Sequence, residues 1–223
     1  MKNFFFVILC IVGFTANAQD SIEKTVGEFS TLKVFDLIQV KMIQSDENKV
    51  IISGKNKEDV EVVNNNGKLK IRMNLEESYD GNDTVVELYF VSVDVIDANE
   101  GAFVIVKDPI KQFEIDLRVQ EGAGITASLE TSYANIRAVT GGEINVAGSS
   151  KNQDISIYTG GVYNGKEFIT ENTEVSINAA GEAHVNVSEM VDVRIKAGGE
   201  VFIYGDPKEV KENTLLGGRI KRM

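Results

Sequence analysis

The sequence has one cysteine, one histidine and no tryptophan among its 223 residues. The cysteine, Cys10, lies in an apolar run near the N-terminus, and removal of that run would leave a chain without disulfide bonds or thiol chemistry. The histidine, His184, has no second histidine or remaining cysteine to act with, so we expect neither a zinc site nor Ser-His-Asp or Cys-His catalysis. We therefore expect no metal, no cofactor and no catalytic residues.

Long hydrophobic runs are also missing, apart from one in the opening "MKNFFFVILCIVGFTANAQ". It spans Phe4–Phe14 and is too short to cross a bilayer, for which about 20 residues are needed. A preceding lysine and the following "ANA" are typical of a secretory signal peptide, which we assign to residues 1–18 with cleavage after Ala18. Bulky Leu9 before Cys10 argues against a lipid anchor. The mature chain is expected to be exported, not a lipoprotein, and to reside in the periplasm, on the outer surface or outside the cell.

Positive charge is scarce: 23 lysines and arginines stand against 34 aspartates and glutamates, which gives a net charge of −11. A surface this acidic repels nucleic acid and anionic lipid, so neither is expected as a partner. No later run is apolar enough to insert into a membrane after signal cleavage. The partners left open are a surface protein, a glycan, or another copy of the chain in a homo-oligomer.

Aromatic residues make up only 8% of the sequence, whereas glycine occurs 20 times and largely in one recurring motif. The motif is a small-residue pair followed by an alternating run, as in "TGGEINVAG" at Thr140–Gly148. Its copies recur at intervals of 18 to 21 residues, with their first small residues at Gly101, Gly122, Gly141, Gly160, Ala180, Gly198 and Gly217. A phosphate loop would lead from such a pair into a helix, but a strand pattern follows here. The repeat therefore predicts turns and not nucleotide sites.

Apolar and polar residues alternate on both sides of each small-residue pair. Five residues before the pair, for example, one apolar column reads Ile96, Leu117, Ile136, Ile155, Val175 and Val193. Such alternation is typical of strands with one buried face, and stacked coils can join those faces into a continuous core. We predict an all-β fold, a right-handed parallel β-helix (solenoid) with about seven glycine-turn coils of about 19–20 residues each.

The glycines assigned to the turns are Gly101, Gly122, Gly141, Gly142, Gly160, Gly161, Gly181, Gly198, Gly199, Gly217 and Gly218. A less regular β-rich section, residues 19–90, precedes the repeats at 91–223, and no linker divides them, so one continuous domain over 19–223 is predicted. Within the first section, Asn66-Gly67 between two alternating runs predicts a hairpin. Two loops are expected: Asp80–Asp83, whose calcium binding is left open, and Gly205–Thr214, a charged loop over the last coil.

Three stretches give the sequence a family resemblance: "GEFSTLKV", "VEVVNNNGKLKIRM" and the ending "AGGEVFIYGDPKEVKENTLLGGRIKRM". Together with the glycine-centred repeats they resemble the adhesin head family called the GIN domain, from roughly Val26 to the end of the chain. The resemblance implies a superhelix of two sheets joined by glycine turns and related to pectin-lyase-like β-helices. It also implies a role in cell adhesion, and it carries over no catalytic or binding residues.

One turn-exposed column is rich in carboxylates: two residues after the first small residue lie Glu143, Glu182, Glu200 and then Arg219. On adjacent coils Glu182 and Glu200 would lie about 5 Å apart. Two such carboxylates can shift each other's pKa, bind a cation or flank a glycosidic bond. The simpler interpretation, which we favour, is a row of turn charges partly neutralised by Arg219.

Three residues on outward-facing positions are candidates for contact with a partner. Alternation places Tyr158, His184 and Phe202 on outward columns, where each could pack against a peptide or a sugar. The sequence thus favours an exported, non-enzymatic β-helix that acts as an envelope or cell-surface interaction module, with adhesion as the role implied by the resemblance. The alternative is a carbohydrate-binding or carbohydrate-active protein that uses the acidic turn residues. A periplasmic scaffold whose coil edges stack on another β-protein is a third hypothesis.

Overall fold

The computed structural model describes residues 21–223, so the signal peptide predicted for residues 1–18 lies outside the described residues. The chain forms a 17-stranded sheet that winds into a solenoid. Besides strands, these residues contain a 3₁₀ turn at Lys57–Asp59 and no α-helix. The strands are β1 (Ile22–Thr25), β2 (Thr31–Val34), β3 (Gln39–Gln44), β4 (Lys49–Gly54), β5 (Val60–Asn65), β6 (Lys68–Met73), β7 (Thr84–Phe90), β8 (Val95–Ala98), β9 (Phe103–Val106), β10 (Ile110–Val119), β11 (Gly124–Val139), β12 (Glu143–Tyr158), β13 (Val162–Ile177), β14 (Glu182–Ala197), β15 (Glu200–Tyr204), β16 (Glu209–Leu216) and β17 (Arg219–Arg222).

Consecutive coils pair in parallel, which confirms the predicted all-β solenoid of about seven turns. Strands β11 to β14 are 16 residues each and run from one glycine turn to the next. In β12 the buried side chains fall on even-numbered positions from Ile144 to Ser150 and on odd-numbered ones from Gln153 to Ile157. Because a pleated strand alternates strictly, this shift marks a second corner, opposite the glycine turn. Each coil therefore has two walls: a post-turn wall and a pre-turn wall.

The glycine turns are tight and left-handed in backbone conformation. In the turn Val139–Gly142, the N–H of Gly142 donates to the carbonyl of Val139 at 3.0 Å, while Thr140 and Gly141 have φ of 47° and 70°. These are the features of a type I′ turn. The N–H of Gly141 also donates to the carbonyl of Thr159 in the next coil at 3.2 Å, so the turns form a ladder of their own.

The second small residue of the pair is needed for close packing between coils. A Cβ on Gly161 would lie 2.4 Å from the carbonyl oxygen of Ala138, whereas nothing lies within 4 Å of a Cβ on Gly160. In the earlier turns the two residues with positive φ are the first small residue and the residue before it. In the last three turns they are the two small residues themselves: Ala180-Gly181, Gly198-Gly199 and Gly217-Gly218. All the glycines assigned to turns from the sequence lie at this one edge of the solenoid.

The N-terminal section contributes a coil that is out of chain order. Strand β2 lies between β6 and β8, and β3 lies between β7 and β9, in parallel with all four. The turn between them is Asp36-Leu37, with φ of 59° and 62°. The Asp36 carboxylate accepts hydrogen bonds from the N–H groups of Met73, at 3.0 Å, and Tyr79, at 3.2 Å. This coil lacks the glycine of the later turns, which is why the sequence repeat did not include it.

The two ends of the solenoid differ. At the first end antiparallel strands cover the coils: β4 pairs with β7, β1 with β4, and β5 with β6 across the Asn66-Gly67 turn. At the other end, β16 pairs with β14 and β17 with β15. The prediction of a charged loop at Gly205–Thr214 is wrong, because Glu209–Leu216 is strand β16 of the last coil. Its residues are mostly exposed, so backbone pairing and not burial holds it, and the apolar pattern did not reveal it.

The core is one column of small and branched side chains that continues through all coils. Its largest fully buried side chains are Tyr163, Phe90 and Phe168, and the ring of Tyr163 lies between Ile144 and Ala183 of the neighbouring coils. Gly165 makes room for it: a Cβ there would lie 2.3 Å from the Tyr163 hydroxyl. Among residues 21–223 there is no helix of the length and apolarity that a membrane span requires.

Candidate functional site

The acidic column lies on the post-turn wall, at the first position after each turn. Its register runs Glu143, Val162, Glu182, Glu200 and Arg219. Glu182 and Glu200 are therefore direct neighbours, as the sequence predicted, whereas Val162 separates Glu143 from both. Neighbouring strands lie about 4.8 Å apart. The structure thus brings two of the three carboxylates together.

Each of these carboxylates is engaged by a donor of its own chain. Glu200 binds Arg219 through one oxygen and Lys221 Nζ through the other, the latter at 3.0 Å. The hydrogen bond from Lys221, then the one from Arg219, lowers the pKa of Glu200 below its usual value. Glu143 accepts a hydrogen bond from Asn145 Nδ2 at 2.9 Å. A carboxyl that served as a general acid would need a raised pKa, so the direction at Glu200 opposes that role.

Glu182 contacts the single histidine, with its Oε1 atom 2.6 Å from Nε2 of His184. The imidazole ring is stacked on Phe202 of the next coil, with ring centroids 4.5 Å apart and planes 5° apart. Its other nitrogen, Nδ1, lies 3.2 Å from the hydroxyl of Tyr204. His184 is therefore held at both nitrogens and on one face of its ring, and its side chain is 22% exposed.

Cations lie against the aromatic members of the same cluster. Lys221 Nζ is 4.6 Å from the ring centroid of Phe202, and Lys166 Nζ is 5.1 Å from that of Tyr204. We name His184, Phe202, Tyr204 and the lysines Lys166 and Lys221 the aromatic face. Sequence reasoning identified His184 and Phe202 but missed Tyr204. Its position two residues after Phe202, on the same side of the strand, was the available signal.

Tyr158, the third residue predicted for contact, does not join the aromatic face. It ends β12 on the pre-turn wall, in register with Val139. The guanidinium of Arg137 covers its ring, with Cζ 4.6 Å from the centroid, a cation–π arrangement. Of the three residues predicted for contact, Tyr158 thus lies on the pre-turn wall, and His184 and Phe202 lie on the post-turn wall.

A second group of acids, which sequence reasoning missed, surrounds the Asp36-Leu37 turn. Burial, followed by the charges of Asp36 and Glu121, raises the pKa of Glu100. In the loop Asp80–Asp83, the Asp80 carboxylate accepts a hydrogen bond from Asn56 Nδ2 at 2.8 Å. Within residues 21–223 no three histidine, cysteine or acidic side chains come together in a way that could hold a metal ion.

Clefts occur away from the acidic column. One of about 740 Å³ is bounded by Glu28, Phe29 and Asp46, and one of about 600 Å³ is bounded by Asp94, Phe113 and other residues near the second corner. Neither Glu182 nor Glu200 lines either of these two clefts.

Comparison with known proteins finds similarity to proteins described as putative adhesins. The family model described as "Putative auto-transporter adhesin, head GIN domain" matches residues 28–207. The structure is similar to that of a "putative adhesin" from Bacteroides fragilis NCTC 9343, with 14% identity, a TM-score of 0.83, and coverage of 92% of this chain and 96% of that chain. The comparison with curated proteins finds no match.

Two further solved structures share the fold. A "putative adhesin" from Parabacteroides merdae ATCC 43184 has 17% identity and a TM-score of 0.72, with 93% of this chain and 97% of that chain covered. A "putative lipid binding protein" from Parabacteroides distasonis ATCC 8503 has 16% identity and a TM-score of 0.67, with 93% and 98% covered. At these identities the similarity shows the fold alone.

Proposed function

The chain belongs to the GIN-domain family, and from this premise we propose that it is an exported, non-enzymatic β-solenoid that serves as an interaction module of the cell envelope or cell surface, in adhesion. The names of the family and of its structural neighbours support adhesion. Export is supported by the signal-peptide pattern of residues 1–18. The exported chain acts in the periplasm, on the outer surface or outside the cell.

One observation carries the non-enzymatic part of the proposal: the carboxylates that could have formed a catalytic pair are bound to cations or hydrogen-bond donors of the same chain. Glu200 is held by Arg219 and Lys221, and Glu182 by His184. The lowered pKa of Glu200 opposes a role in donating a proton to a substrate. The alternative, a carbohydrate-active protein using Glu182 and Glu200, has less support for the same reason.

The contact surface that we propose is the aromatic face. His184, Phe202 and Tyr204 are half-buried rings held in place by stacking and by a hydrogen bond, so little side-chain entropy is lost when a partner covers them. Interfaces are enriched in aromatic residues of this kind. Lys166 adds a positive charge beside Tyr204, which favours partners with acidic groups, whereas the charge of Lys221 is paired with Glu200.

The test is a binding screen of the mature protein against immobilised surface proteins and glycans, with release of reducing sugars measured in parallel. We expect saturable binding without turnover. The double variant His184→Ala/Phe202→Ala should bind at least about tenfold more weakly, a loss of about 1.4 kcal/mol. Tyr79→Ala, which removes an aromatic side chain that is 59% exposed at another place, is the matched control.

Two results would contradict the proposal. Cleavage of a glycan that is abolished by Glu182→Gln or Glu200→Gln would establish an enzyme. Retention of the uncleaved protein in the cytoplasm after cell fractionation would rule out export. The two readouts are independent, so export and the absence of catalysis are decided separately.

A further inference from the structure

The second corner carries one residue that the solenoid does not need there. At this corner one residue of each coil lies between residues that pair with the next coil. In successive coils these corner residues are Phe113, Ser132, Lys151 and Glu171. Such positions point out of the coil and suit polar side chains. Phe113 is the apolar exception, and 67% of its surface is exposed. The core on either side of it is already filled by Ile110 and Ile115, which are 3% and 0% exposed.

Phe113 has an aromatic neighbour on the next coil. Its ring centroid lies 5.4 Å from that of Tyr133, with the ring planes inclined by 49°. Tyr133 is itself 44% exposed. Two adjacent exposed rings form an apolar patch, and contiguous patches on otherwise polar surfaces mark interaction sites more often than single exposed residues do.

Phe113 lines the cleft of about 600 Å³, and Tyr133 lies against Phe113. Hydrogen-bonding side chains line much of the rest of its wall. Asn135 donates through Nδ2 to Glu114 Oε1 at 2.8 Å. Asp116 is held by Arg118. Among the described residues 21–223, no hydrogen bond or ion pair is found for the Asp94 carboxylate. The cleft therefore combines the ring of Phe113, backed by that of Tyr133, with oxygen atoms that can still accept hydrogen bonds.

This combination selects a class of ligand. Sugar rings offer apolar C–H faces to aromatic side chains and hydroxyl groups to carboxylate and amide oxygens. An anionic glycan or a phosphate would be repelled by Asp94, Glu114 and Asp116. An extended peptide would add to the strand edge here, but Gln112 Nε2 already donates to the carbonyls of Val93, at 3.0 Å, and Glu114, at 2.5 Å.

We propose that the cleft beside Phe113 and Tyr133 binds a neutral oligosaccharide. The aromatic pair packs against the face of a sugar ring, while Asp94 and Asn135 accept hydrogen bonds from its hydroxyl groups. The inference goes beyond the proposed function, since a module that contacted proteins through the aromatic face alone would satisfy that function without any glycan site. The cleft and the aromatic face are separate, being on the second corner and on the post-turn wall.

The experiment uses the mature protein and a panel of neutral hexasaccharides built from glucose, mannose, galactose or xylose. Oligogalacturonate, heparin oligosaccharides and oligolysine are the charged comparison ligands. Binding is measured by isothermal titration calorimetry. At least one neutral oligosaccharide should bind, and Phe113→Ala/Tyr133→Ala should weaken that binding at least about tenfold. Asp94→Ala is the second test variant, because its exposed side chain can be removed without disturbing the coil. Tyr79→Ala should bind as the unmodified protein does.

Three outcomes would overturn the inference: no neutral oligosaccharide binds, only a charged comparison ligand binds, or binding survives both the aromatic double variant and Asp94→Ala. Thermal unfolding of every variant shows whether the fold is kept. If the double variant unfolds early, Asp94→Ala decides the matter alone. Loss of protein contacts through His184→Ala/Phe202→Ala does not affect this test, so the two proposals fail independently.

Discussion

At the scale of single residues, the carboxylates on the post-turn wall are engaged by donors of the same chain. A carboxylate that accepts charge-assisted hydrogen bonds is stabilised in its ionised form, which lowers its pKa. Glu200 has two cationic partners, Arg219 and Lys221, from the last coil. The same contacts fasten that coil to its neighbour. Glu200 is therefore a clamp between the last coils, whereas Glu143 and Glu182 bind partners two residues along their own strands.

The first prediction concerns the titration of Glu200. Because its folded pKa is lowered, the stabilisation is present above the usual value of 4.5 and is lost as the pH falls through the lower, folded-state pKa. In an NMR titration the Glu200 carboxyl should titrate below 4.5, and Lys221→Met should shift that pKa upward. Lys211→Met, which removes a partner of Glu209 on the other wall, should leave it unchanged. An unchanged titration in Lys221→Met would contradict the clamp.

At the scale of the strand, β13 shows how one coil accommodates a residue that does not match its neighbours. Burial raises the pKa of Tyr163 well above its usual range, and its hydroxyl accepts a hydrogen bond from Gln153. Gln153 in turn accepts from Thr173 Oγ1 at 3.4 Å. Gly165 breaks the apolar column in the same coil because the tyrosine ring occupies the space that a side chain would fill. The two departures from the repeat are thus one structural feature.

A double-mutant cycle tests this coupling. Gly165→Ala should cost about 3 kcal/mol of unfolding free energy, because the ring of Tyr163 is enclosed and cannot move aside. In a Tyr163→Val background, the same change should cost less than about 1 kcal/mol, giving a coupling of roughly 2 kcal/mol. Urea denaturation measures both.

Gly160→Ala in the same coil is the matched control for that cycle. Nothing lies within 4 Å of its Cβ, and φ is 76°, so only backbone strain opposes the substitution. That strain costs about 1–2 kcal/mol and should be equal in both backgrounds. Equal costs of Gly165→Ala in the two backgrounds would mean that the tyrosine and the glycine are independent.

At the scale of the whole molecule, the solenoid is asymmetric from end to end. Strands β4 and β1 are added antiparallel to the first coils, whereas the last coil, β16 with β17, is bonded on one side among the described residues. Leu215 and Leu216 are more than 70% exposed there, at 73% and 71%. Charged side chains such as Arg219 and Arg222 protect such an edge from pairing with other chains. Stability in a solenoid is a sum over coils and their interfaces, so this coil should be the least stable.

Hydrogen exchange followed by mass spectrometry should reveal this gradient. Amides of β16 and β17 should exchange fastest, and those of β12 and β13, which are bonded on both sides, slowest. Strand β4 is the internal control, because it also lies near an end but is paired with both β1 and β7. Exchange from β17 as slow as from β4 would show that the last coil is stabilised in another way.

The sequence by itself determined the repeat, the all-β solenoid, the turn edge and the inward columns. These follow from local rules: alternation of period two separates core from surface, and a small-residue pair permits a left-handed turn. It also placed Glu182 beside Glu200, since both occupy the same position after the small-residue turn of successive coils. The right hand of the helix stays a prediction from the rule for parallel crossovers.

Only the tertiary structure decided the order of the coils, the partners of each charge and the aromatic pair at the second corner. Strand β2 lies between β6 and β8 because of long-range backbone pairing, which leaves no local trace in the sequence. Phe113 and Tyr133 are twenty residues apart along the chain, by their numbering, and meet because the corner shifts the alternation by one residue. Periodicity determines which residues face outward within a straight strand, but hydrogen bonding between coils determines which of them become neighbours.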